Sequence, residues 1–251
     1  MRLSRFRVPV LGLLTLLGSC QRVAYVSKAS FAPVTSQPVG KTQPEDPAVA
    51  AIIAPYHDKV TSQMQEVLGT APVALVKAAG ESPLSNFVAD LQRARASQVL
   101  GQPVPLGVMT NGGLRSGFAA GPVTLGSVFE LMPFENELVV LDAPGPVVQQ
   151  LFEFAAKVKM AVSGATYAVT FDGFPKDIRI GDQPFDINQD RTWAIAISDY
   201  LAGGGDNMVF FKTLTPRPTN VLLRTAIADH IRALTKSGQP VTAKVEGRVK
   251  Q

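Results

Sequence analysis

Three short segments of this 251-residue chain combine the residue types that hold small molecules. The first is Thr110-Asn111-Gly112-Gly113-Leu114-Arg115, directly after an apolar run. Paired glycines let backbone N–H groups come close to a ligand, and Asn and Arg add directional donors. The second, Met132-Pro133-Phe134-Glu135-Asn136-Glu137, sets a phenylalanine behind a proline and among acids, where a core role explains it poorly. The third is Asp199-Tyr200-Leu201-Ala202-Gly203-Gly204-Gly205-Asp206-Asn207. It joins an aromatic ring, three glycines and a carboxylate after a strand-like run, a place where loops meet ligands. Such a loop suits base stacking and ligand orientation. Taken singly, each segment also fits a plainer reading: a tight turn with a solvated arginine, an aromatic plug at a helix end, and a flexible turn.

Bond-breaking sets are missing from the sequence. Its two histidines, His57 and His230, stand in no H-E-x-x-H or Cys/His ligand spacing. His57 reads as a surface residue and His230 as a packed imidazole on the apolar side of a helix. The nearest approach to a nucleophile elbow, Gly80-Glu81-Ser82-Pro83-Leu84, departs at its last position, and no Gly-x-x-x-x-Gly-Lys-Ser/Thr loop occurs. A two-metal hydrolytic centre needs a His/Asp cluster that is not in the sequence. The expectation is therefore no catalytic residue, no metal ligand and no cofactor in this chain.

The elements that must position these segments follow from periodicity. Asp46 with Pro47 opens a helix carrying Val49, Ile53, Tyr56, Val60, Met64 and Val67 on one side, with Gly69 as its stop. Ala71–Lys77 reads as a short β-rich run. Ser82-Pro83 opens a second helix with Leu84, Phe87, Val88 and Leu91 on one face. Val104–Met109 reads as a buried strand, Leu125–Met132 as a short helix and Glu137–Leu141 as a strand, and Pro146 starts another helix. Strand-like runs at Thr166–Phe171, Asp177–Ile180 and Thr192–Ile197 precede a closing helix through Leu223, Ile227, Ile231 and Leu234. Ala243–Val249 is a last strand. Helices and strands without a regular βαβ rhythm predict an α+β fold, a mixed β-sheet packed with helices.

The net charge of +4 is concentrated at the N-terminus. Arg2, Arg5 and Arg7 precede residue 20 with no acid among them, and the remainder carries 21 basic against 20 acidic residues. Nucleic acid is thus not an expected partner. Behind the arginines come an apolar run, Val8–Leu17, and Gly18-Ser19-Cys20, the arrangement of an export signal with small residues at its cut site. The apolar run is shorter than the roughly 20 residues of a membrane span. Leu17-Gly18-Ser19-Cys20 resembles the lipobox of bacterial lipoproteins, and Cys20 is the sole cysteine. This predicts a signal peptide over 1–19, lipidation at Cys20, and a chain held on the periplasmic or outer side of a bacterial envelope. Residues 20–46, rich in Pro, Ser, Thr and Gln, read as a flexible tether to a domain over 47–251.

In order and spacing, the segments resemble the C-terminal domain of the 5′-nucleotidases. Glu81-Ser82-Pro83-Leu84-Ser85-Asn86-Phe87-Val88-Ala89-Asp90 is similar to that family's E-x-x-L-G-N-h-h-A-D helix. Asn111–Arg115 is similar to its N-G-G-G-I-R loop, Pro133–Asn136 to P-F-x-N, Ser163-Gly164 to its S-G turn, and Tyr200–Asn207 to F-L-A-x-G-G-D-G. The five span about residues 81–234, most of the domain. The resemblance implies a nucleoside-holding domain, with the base between Phe134 and Tyr200 and polar contacts from Arg115, Asp206, Asn111 and Gly113. Tyr200 for Phe preserves stacking. The glycine loop is one residue short, and a gapless alignment puts Thr110 in the Asn column. The family's metallophosphatase domain has no counterpart in this sequence. The implied function is the recognition half of a split 5′-nucleotidase, with two divalent metals on a separate metallophosphatase chain. The alternative is a stand-alone nucleoside-binding lipoprotein; a structural module that needs no aromatic pair is a third reading.

Overall fold

The structure is a computed structural model and describes residues 43–250 together with Ser36 and Gly40. The expected signal peptide, Cys20 and most of the tether lie outside the described residues. The chain divides into two units, Met1–Val49 and Ala50–Gln251, and the second holds every element below except the start of the first helix. In chain order these are α1 (Pro47–Met64), β1 (Val67–Ala71), α2 (Pro83–Leu100), β2 (Leu106–Val108), β3 (Gly121–Thr124), α3 (Leu125–Leu131), β4 (Glu137–Pro144), α4 (Gly145–Val158), β5 (Val162–Ser163), β6 (Ala165–Val169), β7 (Pro175–Ile180), β8 (Gln183–Pro184), β9 (Thr192–Ser198), α5 (Asp199–Ala202), β10 (Arg217–Leu222), α6 (Leu223–Lys236) and β11 (Val249–Lys250). Among the described residues no helix is long and apolar enough to cross a membrane.

The centre is a five-stranded mixed sheet in the order β10-β4-β9-β2-β5, in which only the β9–β2 pair is parallel. Side chains alternate across a strand, and β4 uses both faces. Leu138 and Val140 join the core under α2, α3 and α6, while Val139, Leu141 and Ala143 join the core under α4. On β9, Ala196 faces the first core and Trp193, Ile195 and Ile197 the second. The fold is α+β with helices on both faces of a mixed sheet. A two-stranded sheet, β1-β3, and a four-stranded sheet, β11-β6-β7-β8, flank it.

Local signals account for the helix boundaries. Asp46 accepts from the Ala48 N–H at 2.8 Å at the start of α1. Ser82 and Ser85 form a reciprocal capping box at α2, and Gly101 closes that helix in the left-handed region at φ 64°.

Three expectations are corrected. The 71–77 run is not a strand: beyond Ala71, which ends β1, its one pairing is an isolated bridge from Leu75 to Phe118. Pro72 has no N–H for a ladder. Gly69 is no helix stop but lies inside β1, where a Cβ would fall 2.6 Å from Thr235 Oγ1, so glycine lets α6 pack close. The final strand shrinks to Val249–Lys250, parallel to β6. Preceding backbone N–H groups are taken by the carboxylate of Glu81, donated from Glu246 and Arg248 at 2.8 Å each. Strand β10 was not expected because Pro218 and Asn220, the latter at φ 56°, interrupt any strand pattern.

Candidate functional site

Strands β2 and β9 are adjacent and parallel, with Leu106 opposite Ile195 and Gly107 opposite Ala196. Their C-terminal ends therefore release two loops side by side, the arrangement in which sheets with parallel strands gather ligands. β2 leads into a single 3-10 turn at Asn111–Gly113, and β9 into α5. The loops meet directly. Thr110, 7% exposed, donates its hydroxyl to Asp206 Oδ2 at 2.6 Å. A Cβ on Gly112 would sit 3.0 Å from that same oxygen, so the glycine leaves room for the carboxylate.

The second loop is wound so that Tyr200 and Asp206 face each other. Ser198 caps α5 by accepting from the Leu201 N–H at 3.2 Å. Gly204 turns the chain at φ 90°. The Tyr200 ring lies against Gly205, where a Cβ would meet it at 2.4 Å, so only glycine fits there. The Tyr200 hydroxyl donates to Asp206 Oδ1 at 3.1 Å and accepts from the Asp206 N–H at 3.3 Å. These bonds hold Asp206 in the left-handed region, φ 50°, an uncommon conformation for a non-glycine residue. The hydroxyl by which Tyr200 differs from the family's phenylalanine is thus engaged, although stacking alone does not require it.

Beside Asp206 is a cavity of about 250 Å³, lined by Thr110, Asn111 and Gly112 and floored by Met109, Phe154, Val158 and Met160. Asn111 donates from Nδ2 to the Ala78 carbonyl at 2.6 Å, and its Oδ1 has no hydrogen-bond partner among the described residues. Arg115 and Phe134 form a separate cluster: the guanidinium lies over the Phe134 ring, 4.9 Å from its centre. Phe134 is half-buried and packs on the core under α3 and α6. Arg224 holds this segment from behind, stacked 4.1 Å over Phe129 and donating to the Phe134 carbonyl at 3.3 Å.

The expected residues thus fall into two groups. Asn111 and Asp206 line the cavity, with Tyr200 outside its lining and bonded to Asp206, and Arg115 with Phe134 forms the other group. Gly113 does not line the cavity; a Cβ there would fall 3.1 Å from Met109 Sδ. Thr110, rather than Asn111, meets the carboxylate. The sequence ranks the two poorly because Asp206 is 96 positions away. The floor from α4 carries only apolar side chains and gave no sequence signal of a site.

The Glu81–Asp90 motif performs a different task. Glu81 accepts from Asn86 Nδ2 at 2.7 Å as well as from the Glu246 and Arg248 N–H groups. Asp90 takes Arg248 in a two-pronged pair at 2.8 and 2.6 Å. Burial opposes ionisation of Glu81, but the hydrogen bonds from Asn86 and the C-terminal backbone outweigh it and hold the carboxyl below its usual value. The motif is a clasp on the C-terminal segment. His230 packs edge-on to Phe87, with ring centres 5.5 Å apart, and burial lowers its pKa, which keeps it neutral at pH 7. His57 is exposed. Among the described residues no three His, Cys, Asp or Glu side chains group to hold a metal ion.

Residues 65–214 match the family described as 5′-nucleotidase, C-terminal domain. The trifunctional nucleotide phosphoesterase protein YfkN of Bacillus subtilis is 27% identical over 234 residues, 85% of this chain and 16% of that protein. The cell wall protein Lmo0130 of Listeria monocytogenes is 26% identical over 67% of this chain and 23% of its own length. Among solved structures, a 5′-nucleotidase precursor from Thermus thermophilus superposes with a TM-score of 0.68 at 26% identity, covering 82% of this chain and 43% of that one. The chain spans less than half the length of each of these proteins.

Proposed function

Since the chain belongs to the 5′-nucleotidase C-terminal domain family, we propose that it recognises the nucleoside part of a nucleotide. Phe134 and Tyr200 take the base, and Arg115, Asp206, Asn111 and Gly113 the polar contacts. Hydrolysis of the phosphomonoester falls to a separate metallophosphatase chain carrying two divalent metals. The chain is held on the bacterial envelope by a lipid at Cys20. What supports the recognition role is the meeting of the glycine turn and the Tyr200–Asp206 loop at the ends of two parallel strands, beside a cavity. A resemblance to a protein named for the cell wall agrees with an envelope location.

Calorimetric titration of residues 47–251 with nucleosides and nucleoside monophosphates tests the recognition role. Stacking is worth roughly 1–3 kcal/mol per base, so Phe134→Ala or Tyr200→Ala weakens binding roughly 5- to 150-fold. Equal affinity for wild type and a folded double variant refutes it. The purified chain with divalent metals is expected to give no turnover of nucleotides; a rate of roughly 1 per second or more overturns the split between chains. For the anchor, a Cys20→Ser chain is expected to be released or left unprocessed, and an intact Met1 on the membrane-bound wild type refutes lipidation.

A further inference from the structure

The hairpin between β6 and β7 closes through Thr170-Phe171-Asp172-Gly173-Phe174 and carries two exposed rings. Phe171 is 105% exposed, as open as in an extended peptide, and Phe174 is 62% exposed. The turn is wound rather than frayed. Gly173 reverses the chain at φ 83° and donates its N–H to the Thr170 carbonyl at 2.9 Å. The Phe174 N–H donates to Thr170 Oγ1 at 2.9 Å, and the Thr170 N–H to the Phe174 carbonyl at 2.8 Å. Single exposed hydrophobic residues are ordinary on a protein surface, whereas two phenylalanines on one ordered turn mark a contact surface. A groove of about 720 Å³ lies between the turn and the end of α4, and Lys157 and Lys159 line it with both rings. Neither lysine makes an ion pair among the described residues. Two carboxylates share the groove: Glu153, which accepts from Gln149 Nε2 at 3.2 Å, and Asp172 in the turn itself.

We propose that this turn is a membrane-contact tip: Phe171 and Phe174 enter the headgroup boundary of a phospholipid bilayer, and Lys157 and Lys159 reach its phosphates. A bilayer fits the tip better than a protein partner does. A ring exposed on every side needs a surface that yields around it, and lipid yields where a folded surface does not. The two amines stand beside the rings on long apolar stems, by which lysine keeps its charge at phosphate level while apolar groups go deeper. Resting on the anchor reading above, residues 20–46 join the domain to a lipid, and a flexible chain of that length spans roughly 30 Å. A contact too weak to hold a free protein then acts at high effective concentration. The lipid alone leaves the domain free to turn, and the tip gives it a fixed face toward the bilayer. Asp172 limits the depth, because an ionised carboxylate beside the rings resists leaving water and stops the tip among the headgroups.

The test is co-sedimentation of residues 20–251 carrying Cys20→Ser, and so no lipid, with vesicles of phosphatidylethanolamine and phosphatidylglycerol. This chain is expected to bind, and Phe171→Ser and Phe174→Ser each to weaken partitioning roughly tenfold. Lys157→Gln and Lys159→Gln weaken it about fivefold each, and Asp172→Asn strengthens it. Circular dichroism checks that these exposed-turn variants stay folded. Phe171→Trp puts a reporter at the tip, against a constant background from Trp193, which is 3% exposed and the sole native tryptophan. Its emission should move to shorter wavelength on adding vesicles and be quenched by brominated acyl chains. An unlipidated chain that stays in solution overturns the proposal and leaves the anchor reading standing, since that reading is tested at the N-terminus of the wild type. Sedimentation that survives the double change to serine, or a Phe171→Trp emission that stays at its value in water, overturns it too by moving the contact elsewhere on the domain. An intact Met1 on the membrane-bound wild type sinks the anchor, while vesicle binding by the unlipidated chain still upholds the tip.

Discussion

Phe134 and Tyr200, assigned the same work, stand in different surroundings. Phe134 is half-buried, anchored on the core, and covered on its open face by the Arg115 guanidinium. Tyr200 is 54% exposed and held by its hydroxyl. A base entering against Phe134 competes with Arg115 for the ring face, a contact worth about 0.5–1 kcal/mol at an exposed site. Arg115→Ala is expected to weaken nucleoside binding because its polar contact is lost. Its unfolding free energy should fall by no more than about 1 kcal/mol, the worth of the exposed stacking contact it loses. The same change at exposed Lys236 should alter neither. Titration together with denaturant unfolding checks both, and an Arg115→Ala chain that binds better makes the arginine a plug rather than a contact. The sequence carried the residue types and their order. Which hydroxyl meets Asp206 was not legible, because it depends on how β2 ends and on a partner in a distant loop.

At the level of elements, periodicity located α4 and α6, since each buries mainly one side, and the Ser82-Pro83 start marked α2, which is buried all round over its first turns. It failed where pairing is non-local. β1 contains Gly69, which lets α6 pack close, and β10 contains Pro218 and the left-handed Asn220, which break its strand pattern. The clasp from α2 to the C-terminal segment joins positions 165 and 167 residues apart and has no local signature. Glu81→Ala leaves two backbone donors without their acceptor and is expected to cost about 2–3 kcal/mol. It should also speed amide exchange at Glu246 and Arg248 before the rest of the fold opens. Unchanged protection there refutes the clasp. Helix α1 is the opposite case, correctly expected from its spacing yet burying nothing. Ile52, Ile53, Tyr56 and Val60 are each more than half exposed. Ile53→Glu and Tyr56→Glu should therefore leave stability within about 0.5 kcal/mol, and a larger loss in denaturant unfolding would show that this face is covered.

For the molecule as a whole, two groups outside the lining of the proposed site bear on how stability responds to acid. His230 is folded against Phe87 with its pKa lowered by burial, and Glu81 is held below its usual value by hydrogen bonds that outweigh its own burial. Both shifts have the same sign: in each case the unfolded chain takes up a proton before the folded chain does. Stability is therefore full above the unfolded values and is lost as pH falls through them. For His230 the loss begins near 6.5, its ordinary value, and for Glu81 near 4.5. Asp90 and Glu246, which line the same cleft as His230, are both engaged by Arg248 and so offer the imidazolium little compensation. Thermal unfolding followed by circular dichroism should give a midpoint that is level from pH 8 to about 7, then declines in two stages. His230→Phe, which keeps an edge-on ring against Phe87, should flatten the stage that starts near 6.5 and leave the lower one. Glu81→Gln should lower the plateau and shrink the stage below 4.5, because the neutral amide has no proton to take up. A midpoint level from pH 8 to 5 in the wild type, or an upper stage that survives His230→Phe, would remove His230 as its source.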